Sequence, residues 1–285
     1  VVPYVRGRER SRNKENILEE VAALASDGCR EITLLGQNVN SYGKDLYDDY
    51  DFADLLSDIC KIDGDFTVRF MTSHPKDASH KLIDTIADNP KIAKAFHLPV
   101  QSGSNDVLRA MNRHYTREAY LELVDYMRKR IPDIALTTDI IVGFPGETDA
   151  DFEDTLDILR KVRYDNIYSF IFSPRKGTKA ADMEQLPESV RAARFERLLA
   201  LQNEISNDKN RSYLHTCQHV LVEGKSKTDE SKLTGRNEKN RLVHFEGDDS
   251  LIGGYADVYI TRAETYALYG ELKNRDEGEQ NSGNN

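Results

Sequence analysis

The chain has 285 residues, which is enough for one α/β domain of about 200 residues and a small second module. Its net charge of −10 argues against a protein that holds nucleic acid by a diffuse basic surface. No apolar run reaches the roughly 18 residues of a membrane span, and the N-terminal segment lacks the apolar core of a signal peptide. We therefore expect a soluble, cytoplasmic protein with no membrane partner.

The charge near the N-terminus is uneven. Five cations lie between residues 6 and 14, against a single anion, Glu9. They are Arg6, Arg8, Arg10, Arg12 and Lys14. Such a run is most often a solvated segment, but here it precedes a predicted helix and could also contact phosphates.

Amphipathic helices alternate with short apolar strands from Asn13 to about Gly177. The first helix is predicted to begin after Asn13 and to end at Gly28, because these residue types favour the two ends of a helix. Strands are predicted at residues 31–35, 67–71, 95–100, 134–142 and 166–172. Strands separated by helices and joined by short loops predict an α/β fold with a parallel sheet.

The second part of the chain has a different pattern. A long helix is predicted at residues 188–210, and strand-like runs follow at 219–222, 242–245, 255–260 and 268–272. Glycine-containing turns separate these runs, which predicts a five-stranded antiparallel β-barrel of about sixty residues. We expect domains at 1–213 and 214–274, and a disordered polar tail at 275–285.

Polar residues gather where the predicted strands end. In parallel α/β folds the ligand site lies at this end of the strands, so the clustering is a functional signal. Asp139 is a separate anomaly, because it lies inside an apolar strand, and a buried carboxylate must accept hydrogen bonds. Thr137, Thr138 or the hydroxyl groups of a ligand could donate them.

The sequence predicts no metal site of its own. The histidines between residues 74 and 114 do not stand at the spacing of metal ligands, and we interpret them as scattered hydrogen-bonded side chains. Cys29, Cys60 and Cys217 form no C-x-x-C pair, which favours buried, idle thiols over a disulfide framework or a zinc site.

Six segments of the sequence resemble, in the same order, the motifs of the radical-SAM methylthiotransferases. They read VVPYVRG at residues 1–7, LLGQNVN at 34–40, TSHP at 72–75, LPVQSGS at 98–104, TDIIVGFPGET at 138–148 and GRNEKNRLV at 235–243. Any one of these motifs alone is a weak signal, whereas six in the family's order are a strong one. The resemblance runs from Val1 to about Lys273, and it implies a partial parallel (β/α) barrel of the radical-SAM type followed by a small antiparallel barrel similar to a TRAM module.

The variants GQN at 36–38 and SHP at 73–75 favour the branch of the family that acts on isopentenylated adenosine. The resemblance thus implies a tRNA-modifying transferase that methylthiolates C2 of N6-isopentenyladenosine next to the anticodon. Other branches act on threonylcarbamoyladenosine in tRNA or on ribosomal protein. Two further alternatives are a non-catalytic piece that binds tRNA and a cluster-free α/β-barrel enzyme that uses Asp139 and Glu147.

The resemblance implies S-adenosylmethionine and two [4Fe–4S] clusters as cofactors. In the family, VVPY directly follows a C-x-x-x-C-x-x-C motif that holds one cluster, and a further N-terminal domain holds the other. Here VVPY is the first segment, so we expect the ligands of both clusters to be absent and the chain as written to be inactive. In the complete enzyme, a 5′-deoxyadenosyl radical is expected to abstract the hydrogen at C2, with sulfur and electron donors as further partners.

The resemblance also implies positions for the cofactor and the RNA, but it leaves the catalytic residues unknown. The residues expected to bind S-adenosylmethionine are Gly36, Gln37, Asn38, Gln101, Ser102, Ser104, Asp139, Ile141 and Phe172. The residues expected to bind RNA are Arg6, Arg8, Arg10, Arg12, Arg236, Lys239, Arg241 and Phe245. Within these sets, Asp139 is expected to accept hydrogen bonds from the ribose, and Phe245 to stack on a base.

Overall fold

The computed structural model describes residues 10–71, 73–227 and 229–273, and the chain divides after Ile205 into two compact units. The helices of these residues are α1 (Lys14–Ser26), α2 (Phe52–Cys60), α3 (His80–Asp88), α4 (Asn105–Ala110), α5 (Arg117–Arg130), α6 (Asp149–Val162) and α7 (Glu188–Arg211). The strands are β1 (Glu31–Leu34), β2 (Thr67–Phe70), β3 (Ala95–His97), β4 (Ala135–Val142), β5 (Asn166–Ile171), β6 (Cys217–Lys225), β7 (Leu233–Asn237), β8 (Leu242–Phe245), β9 (Tyr255–Ala263) and β10 (Leu268–Leu272). Arg6, Arg8 and the tail at 275–285 lie outside the described residues.

Short polar side chains fix where five of the helices begin. Asp51, Ser79, Ser104, Thr116 and Thr148 each precede a helix and accept hydrogen bonds from the backbone N–H groups of its first turn. Such caps satisfy donors that have no partner within the helix. Several polar residues at the ends of loops are therefore committed to helix formation.

The first unit contains parallel strands that pair in chain order. β1 pairs with β2, and β3, β4 and β5 form a second sheet. A parallel bridge between Val68 and Ile92 links β2 to the residues just before β3. Helix residues pack against the buried strand residues in one apolar core. The predicted α/β fold with parallel strands is confirmed.

Strand β3 ends three residues earlier than predicted. Pro99 follows it and has no N–H group to donate to a neighbouring strand, and Gln101 has a left-handed backbone with a φ of 70°. The pairing nevertheless resumes at Gln101, whose N–H donates to the carbonyl of Asp139 at 2.9 Å, and whose carbonyl accepts from the N–H of Ile141 at 2.9 Å. The irregular segment is therefore anchored beside β4.

The second unit contains a closed barrel in the order β10, β8, β7, β6, β9. Strand β7, which includes Gly235 and Arg236, was not predicted because its sequence lacks a run of strand-forming residues. The prediction of an entirely antiparallel barrel needs correction, because β8 and β10 pair in parallel. A closed ring with an odd number of strands cannot alternate direction throughout, so a barrel of five needs at least one parallel pair.

The helices of the described ranges give no candidate for a membrane span. Even the longest of them, α7, is not apolar enough over its length to cross a lipid bilayer.

Candidate functional site

Strand β4 separates a side that faces the helices from a side that is open. Ile140 and Val142 are buried in the core of the first unit. Thr137, Asp139 and Ile141 alternate with them and are partly exposed. We call the surface formed by Thr137, Asp139 and Ile141 the open face of β4, and it carries two of the residues expected to bind the cofactor.

The carboxylate of Asp139 keeps most of its capacity to accept hydrogen bonds. Its oxygens lie 3.5 Å from His97 Nε2 and 3.5 Å from Gln101 Nε2, which is the outer limit for a hydrogen bond. The side chain of Asp139 is 29% exposed. Thr137 and Thr138 are committed elsewhere, since Thr137 Oγ1 lies 2.9 Å from His97 Nδ1 and Thr138 Oγ1 donates to a backbone carbonyl at 2.8 Å.

His97 was interpreted from the sequence as a scattered histidine, yet on β3 it lies beside Thr137 and Asp139 of the open face of β4. Tyr168 of β5 pairs in register with Asp139, and its ring meets that of His97 edge to face at 5.6 Å. Burial lowers the pKa of His97, although the charge of Asp139 opposes this shift. The imidazole is therefore neutral at neutral pH. The alternation of His97 with the buried Phe96 and Leu98 is the signal that could have placed it on this face.

Ser102 and Ser104 have structural roles in place of the expected cofactor contacts. Ser102 is fully buried, lies 3.4 Å from the hydroxyl of Thr155 and accepts from the N–H of Ser104 at 3.2 Å. Ser104 Oγ accepts from the N–H of Asp106 at 3.2 Å at the start of α4 and donates to Asp151 at 2.5 Å. Both hydroxyls are engaged in hydrogen bonds around the start of α4, and this corrects the assignment of Ser102 and Ser104 as cofactor-binding residues.

Gly36, Gln37 and Asn38 follow β1 and line a separate pocket of about 330 Å³ together with Arg10 and Arg12. Gly36 and Gln37 are both exposed. Asn38 Nδ2 donates to Asp77 at 2.6 Å, which fixes the orientation of its amide. The pocket therefore joins three expected cofactor residues to two cations of the N-terminal basic run.

Three polar side chains near the ends of β1 and β2 have buried atoms without a hydrogen-bond partner among the described residues. They are Asn38 through Oδ1, Asn40 through both amide atoms, and Ser73 through Oγ. Asn40 and Ser73 are each 5% exposed. Buried polar groups are almost always satisfied in a folded protein, so these atoms mark a place where water or a polar ligand completes the structure.

Phe172 directly follows β5 and lies beside the end of β4. Its N–H donates to the carbonyl of Val142 at 2.8 Å, and its ring packs against Phe144 at 5.0 Å. The half-buried ring is thus held beside the end of β4, where Ile141 lies in the neighbouring position along the open face.

Glu147 is committed to a buried ion pair. One carboxylate oxygen lies 2.8 Å from the guanidinium of Arg194, and the N–H of Gly143 donates to the same carboxylate at 3.1 Å. Burial raises the pKa of Glu147, while Gly143 and Arg194 act in the opposite direction. Glu147 therefore fixes the turn after β4 and is not placed to act as a catalytic acid.

The three cysteines lie on different segments of the chain. Cys29 lies before β1, Cys60 ends α2 and Cys217 begins β6. Over residues 10–71, 73–227 and 229–273, no three side chains of His, Cys, Asp or Glu come together as a metal-binding group. The cysteines of this chain therefore do not fit the ligand set of an iron–sulfur cluster, which needs several thiolates at one site.

The residues expected to bind RNA in the second unit fall into two groups. Arg236, Lys239 and Arg241 lie on the hairpin between β7 and β8, and Arg236 forms an ion pair with Glu223 at 3.1 Å. Phe245 is 1% exposed and lies in the apolar core of the barrel. This burial corrects the prediction that Phe245 stacks on a base, because the inward face of β8 meets no solvent.

Family models match both parts of the chain. Residues 2–159 match the Radical SAM superfamily, and residues 211–273 match the TRAM domain. Among solved structures, coproporphyrinogen III oxidase from Escherichia coli, described as a radical SAM enzyme, aligns with a TM-score of 0.50. That alignment covers 86% of this chain and 60% of the other, at 13% identity, and is a likeness of fold alone.

Curated relatives match almost the whole chain. It is 58% identical over 273 residues to the tRNA-2-methylthio-N(6)-dimethylallyladenosine synthase of Alkaliphilus oremlandii, covering 95% of this chain and 58% of that protein. It is 55% identical over 273 residues to the protein of the same name from Carboxydothermus hydrogenoformans, covering 95% and 62%. The chain thus spans about three-fifths of the length of these relatives. The predicted resemblance is confirmed, and since the Radical SAM model matches more than half of its residues, the chain belongs to the radical SAM superfamily.

Proposed function

We propose that this chain forms the S-adenosylmethionine-binding and tRNA-binding part of a methylthiotransferase that modifies C2 of N6-isopentenyladenosine next to the anticodon. The observation that carries the proposal is one alignment at 58% identity that runs through both units. A protein that shared only the radical SAM core would align with the first unit alone. The TRAM match at 211–273 supports RNA as the substrate, and such a reaction belongs in the cytoplasm.

Asp139 is the residue we assign to the ribose of S-adenosylmethionine. Its carboxylate is partly exposed and has only long contacts to His97 and Gln101, so it can accept two hydrogen bonds from a diol. Ile141 lies next to Asp139 on the same face, and Phe172 directly follows β5. The apolar surfaces of Ile141 and Phe172 can flank the adenine. When bound, S-adenosylmethionine supplies the radical-forming and methyl-donating chemistry of the reaction.

The segment at 36–38 is assigned to the methionine part of the cofactor. Gln37 is exposed, and the buried polar atoms of Asn38, Asn40 and Ser73 that have no partner lie near the same strand ends. An amino group or carboxylate supplies the hydrogen bonds that such atoms need. Arg10 and Arg12 line the same pocket and would place positive charge beside the phosphates of the tRNA.

The iron–sulfur chemistry is assigned to residues other than those of this chain. Cys29 and Cys60 lie on different segments of the first unit and Cys217 lies in the second unit, so we expect no cluster on the 285-residue chain and no activity from it alone. The complete protein would draw on cluster ligands outside this sequence and on separate sulfur and electron donors. The contribution of the 285-residue chain is to bind and orient the reactants and to shield them from water.

The test compares the 285-residue chain with the protein encoded by the complete reading frame, both reconstituted anaerobically with iron and sulfide. Each is incubated with S-adenosylmethionine, a reductant and tRNA that carries N6-isopentenyladenosine, and the nucleosides are identified by mass spectrometry. We expect 2-methylthio product from the complete protein, and neither product nor cluster absorbance from the chain alone. Product only on tRNA that carries threonylcarbamoyladenosine, or a stoichiometric cluster on the short chain, would overturn the corresponding part of the proposal.

A further inference from the structure

The outer surface of the barrel carries a stack of three planar side chains. The register of β8, β10 and β9 places His244, Tyr269 and Arg262 in one row across neighbouring strands. The rings of His244 and Tyr269 are stacked, with centroids 5.3 Å apart and planes 28° apart. The guanidinium carbon of Arg262 lies 3.8 Å from the centroid of Tyr269. The stack was not predicted from the sequence, because its three members lie on three different strands.

A cleft of about 420 Å³ runs beside the stack. Its lining continues along β10 through Gly270, and Gly270 has to be glycine because a side chain there would collide with the backbone carbonyl of Tyr259. The cleft thus passes a position without a side chain at Gly270 and is bounded on one side by the rings of His244 and Tyr269. A slot of this kind can hold a flat molecule against an aromatic wall.

The charged groups of the cleft favour a ligand that donates hydrogen bonds over an anion. Arg262 is paired with Glu264, and Lys232 is paired with Asp229 at 2.6 Å, so both cations are already compensated. Two exposed carboxylates, those of Glu246 and Glu271, also line the cleft. A carboxylate accepts hydrogen bonds from the exocyclic amino group of cytosine, adenine or guanine, whereas uracil has no such group.

We propose that this cleft, here called the stacking cleft, binds an unpaired nucleobase that carries an exocyclic amino group. Tyr269 is the middle member of the row, covered by His244 from β8 and by Arg262 from β9, so the base extends the row by stacking on one of its ends. There it donates to Glu246 or Glu271. Stacking on aromatic and arginine side chains is a general way to hold single-stranded RNA. The inference rests on the proposed function in that tRNA supplies the base, and it adds a contact to those expected from Arg236, Lys239 and Arg241.

A second His–Tyr pair on the same barrel gives a matched control. His219 and Tyr255 are stacked with centroids 4.5 Å apart and planes 19° apart, but neither lines the stacking cleft. Tyr269→Ala and Tyr255→Ala therefore remove the same ring from two similar pairs. Only the first removes a wall of the cleft.

The experiment measures binding of the whole 285-residue chain to an anticodon stem–loop RNA with 2-aminopurine at single loop positions. We expect at least one position to be quenched on binding, and Tyr269→Ala to abolish the quenching and weaken affinity about five- to hundredfold, the range for loss of one stacked base. Tyr255→Ala should bind as the unchanged chain does. The double variant Glu246→Gln, Glu271→Gln should reduce the preference for short oligo(C) and oligo(A) over oligo(U).

Each outcome decides between the two proposals. If the unchanged chain binds no RNA, both the stacking cleft and the tRNA-binding part of the proposed function are overturned. If it binds RNA equally well with and without Tyr269, only the stacking cleft is overturned. Should Tyr269→Ala fail to fold, as judged by circular dichroism, the exposed Arg262→Ala replaces it, with the same loss of quenching expected.

Discussion

The open face of β4 and the outer face of the barrel show two different relations between motif and site. On β4 the unusual residue of the motif, Asp139, lies on the exposed side of its strand. In the barrel the motif at 235–243 ends beside Phe245, which points into the core, while its neighbour His244 points outward. A motif thus locates a stretch of backbone, and the alternation of the strand decides which of its side chains a ligand can meet.

The largest effect is expected from replacing Phe245. It tests whether this residue of β8 belongs to the core of the barrel and not to its outer face. Phe245→Ala removes a buried ring from a small core, and we expect the free energy of unfolding of the barrel to fall by about 3–5 kcal/mol in urea denaturation. Tyr259→Ala, on the exposed side of β9, is the control and should cost far less. Unchanged stability together with weakened RNA binding would restore Phe245 as a stacking residue.

Replacing Asp139 tests whether the open face of β4 in the first unit binds a ligand. In the complete enzyme, Asp139→Asn should weaken binding of S-adenosylmethionine by about 1.5–3 kcal/mol, the contribution of hydrogen bonds to a charged acceptor. Stability should change by no more than about 0.5 kcal/mol, because the contacts to His97 and Gln101 are long. Both quantities are measured on one variant by calorimetry, with the exposed Asp106→Asn as control. A loss of stability with unchanged affinity would make Asp139 a structural residue.

The smallest expected effect concerns pH and involves one histidine in each unit. Burial lowers the pKa of His97 and of His244, and the charge of Lys232 adds to the effect at His244. The folded state therefore binds a proton less readily than the unfolded state, whose histidines have a pKa of about 6.5. Stability should be fully present above that pH and fall as the solution is acidified towards about pH 5.

Urea denaturation over this pH range checks the prediction with two variants. His97→Gln should flatten the acid limb of the first unit, and His244→Gln that of the second. Removing the opposing charge by Asp139→Asn should lower the pKa of His97 further and steepen the limb of the first unit. An acid limb that neither histidine variant changes would contradict the lowered pKa of His97 and of His244.

Much of the fold could be predicted because hydrophobic periodicity is local. Helix α1 follows Asn13 and ends before Gly28, and four of the five parallel strands end within one residue of their predicted ends. The direction of β10 could not be predicted, since it depends on closure of the whole ring. Strand β7 was missed because Gly235 weakens its local signal.

The candidate site could be predicted only in part. Gln101 was expected at the end of one strand and Asp139 inside the next, and the two side chains lie side by side. Ser104 is instead the cap of α4, a role that a short polar residue before any helix can take, and Ser102 accepts from the N–H of Ser104. The stack of His244, Tyr269 and Arg262 could not be found along the chain, because only the register of three strands brings its members together.

The position of β10 at the end of the described chain decides how long two strand edges of the barrel stay unpaired during synthesis. β10 is the last strand of the described residues and pairs with both β8 and β9. A chain synthesised from its N-terminus presents both of those strands as open edges until residues 268–272 have left the ribosome. Open edges are templates for pairing with other chains. The edges of β8 and β9 thus remain open to pairing with other chains until the five residues of β10 are available to close the barrel.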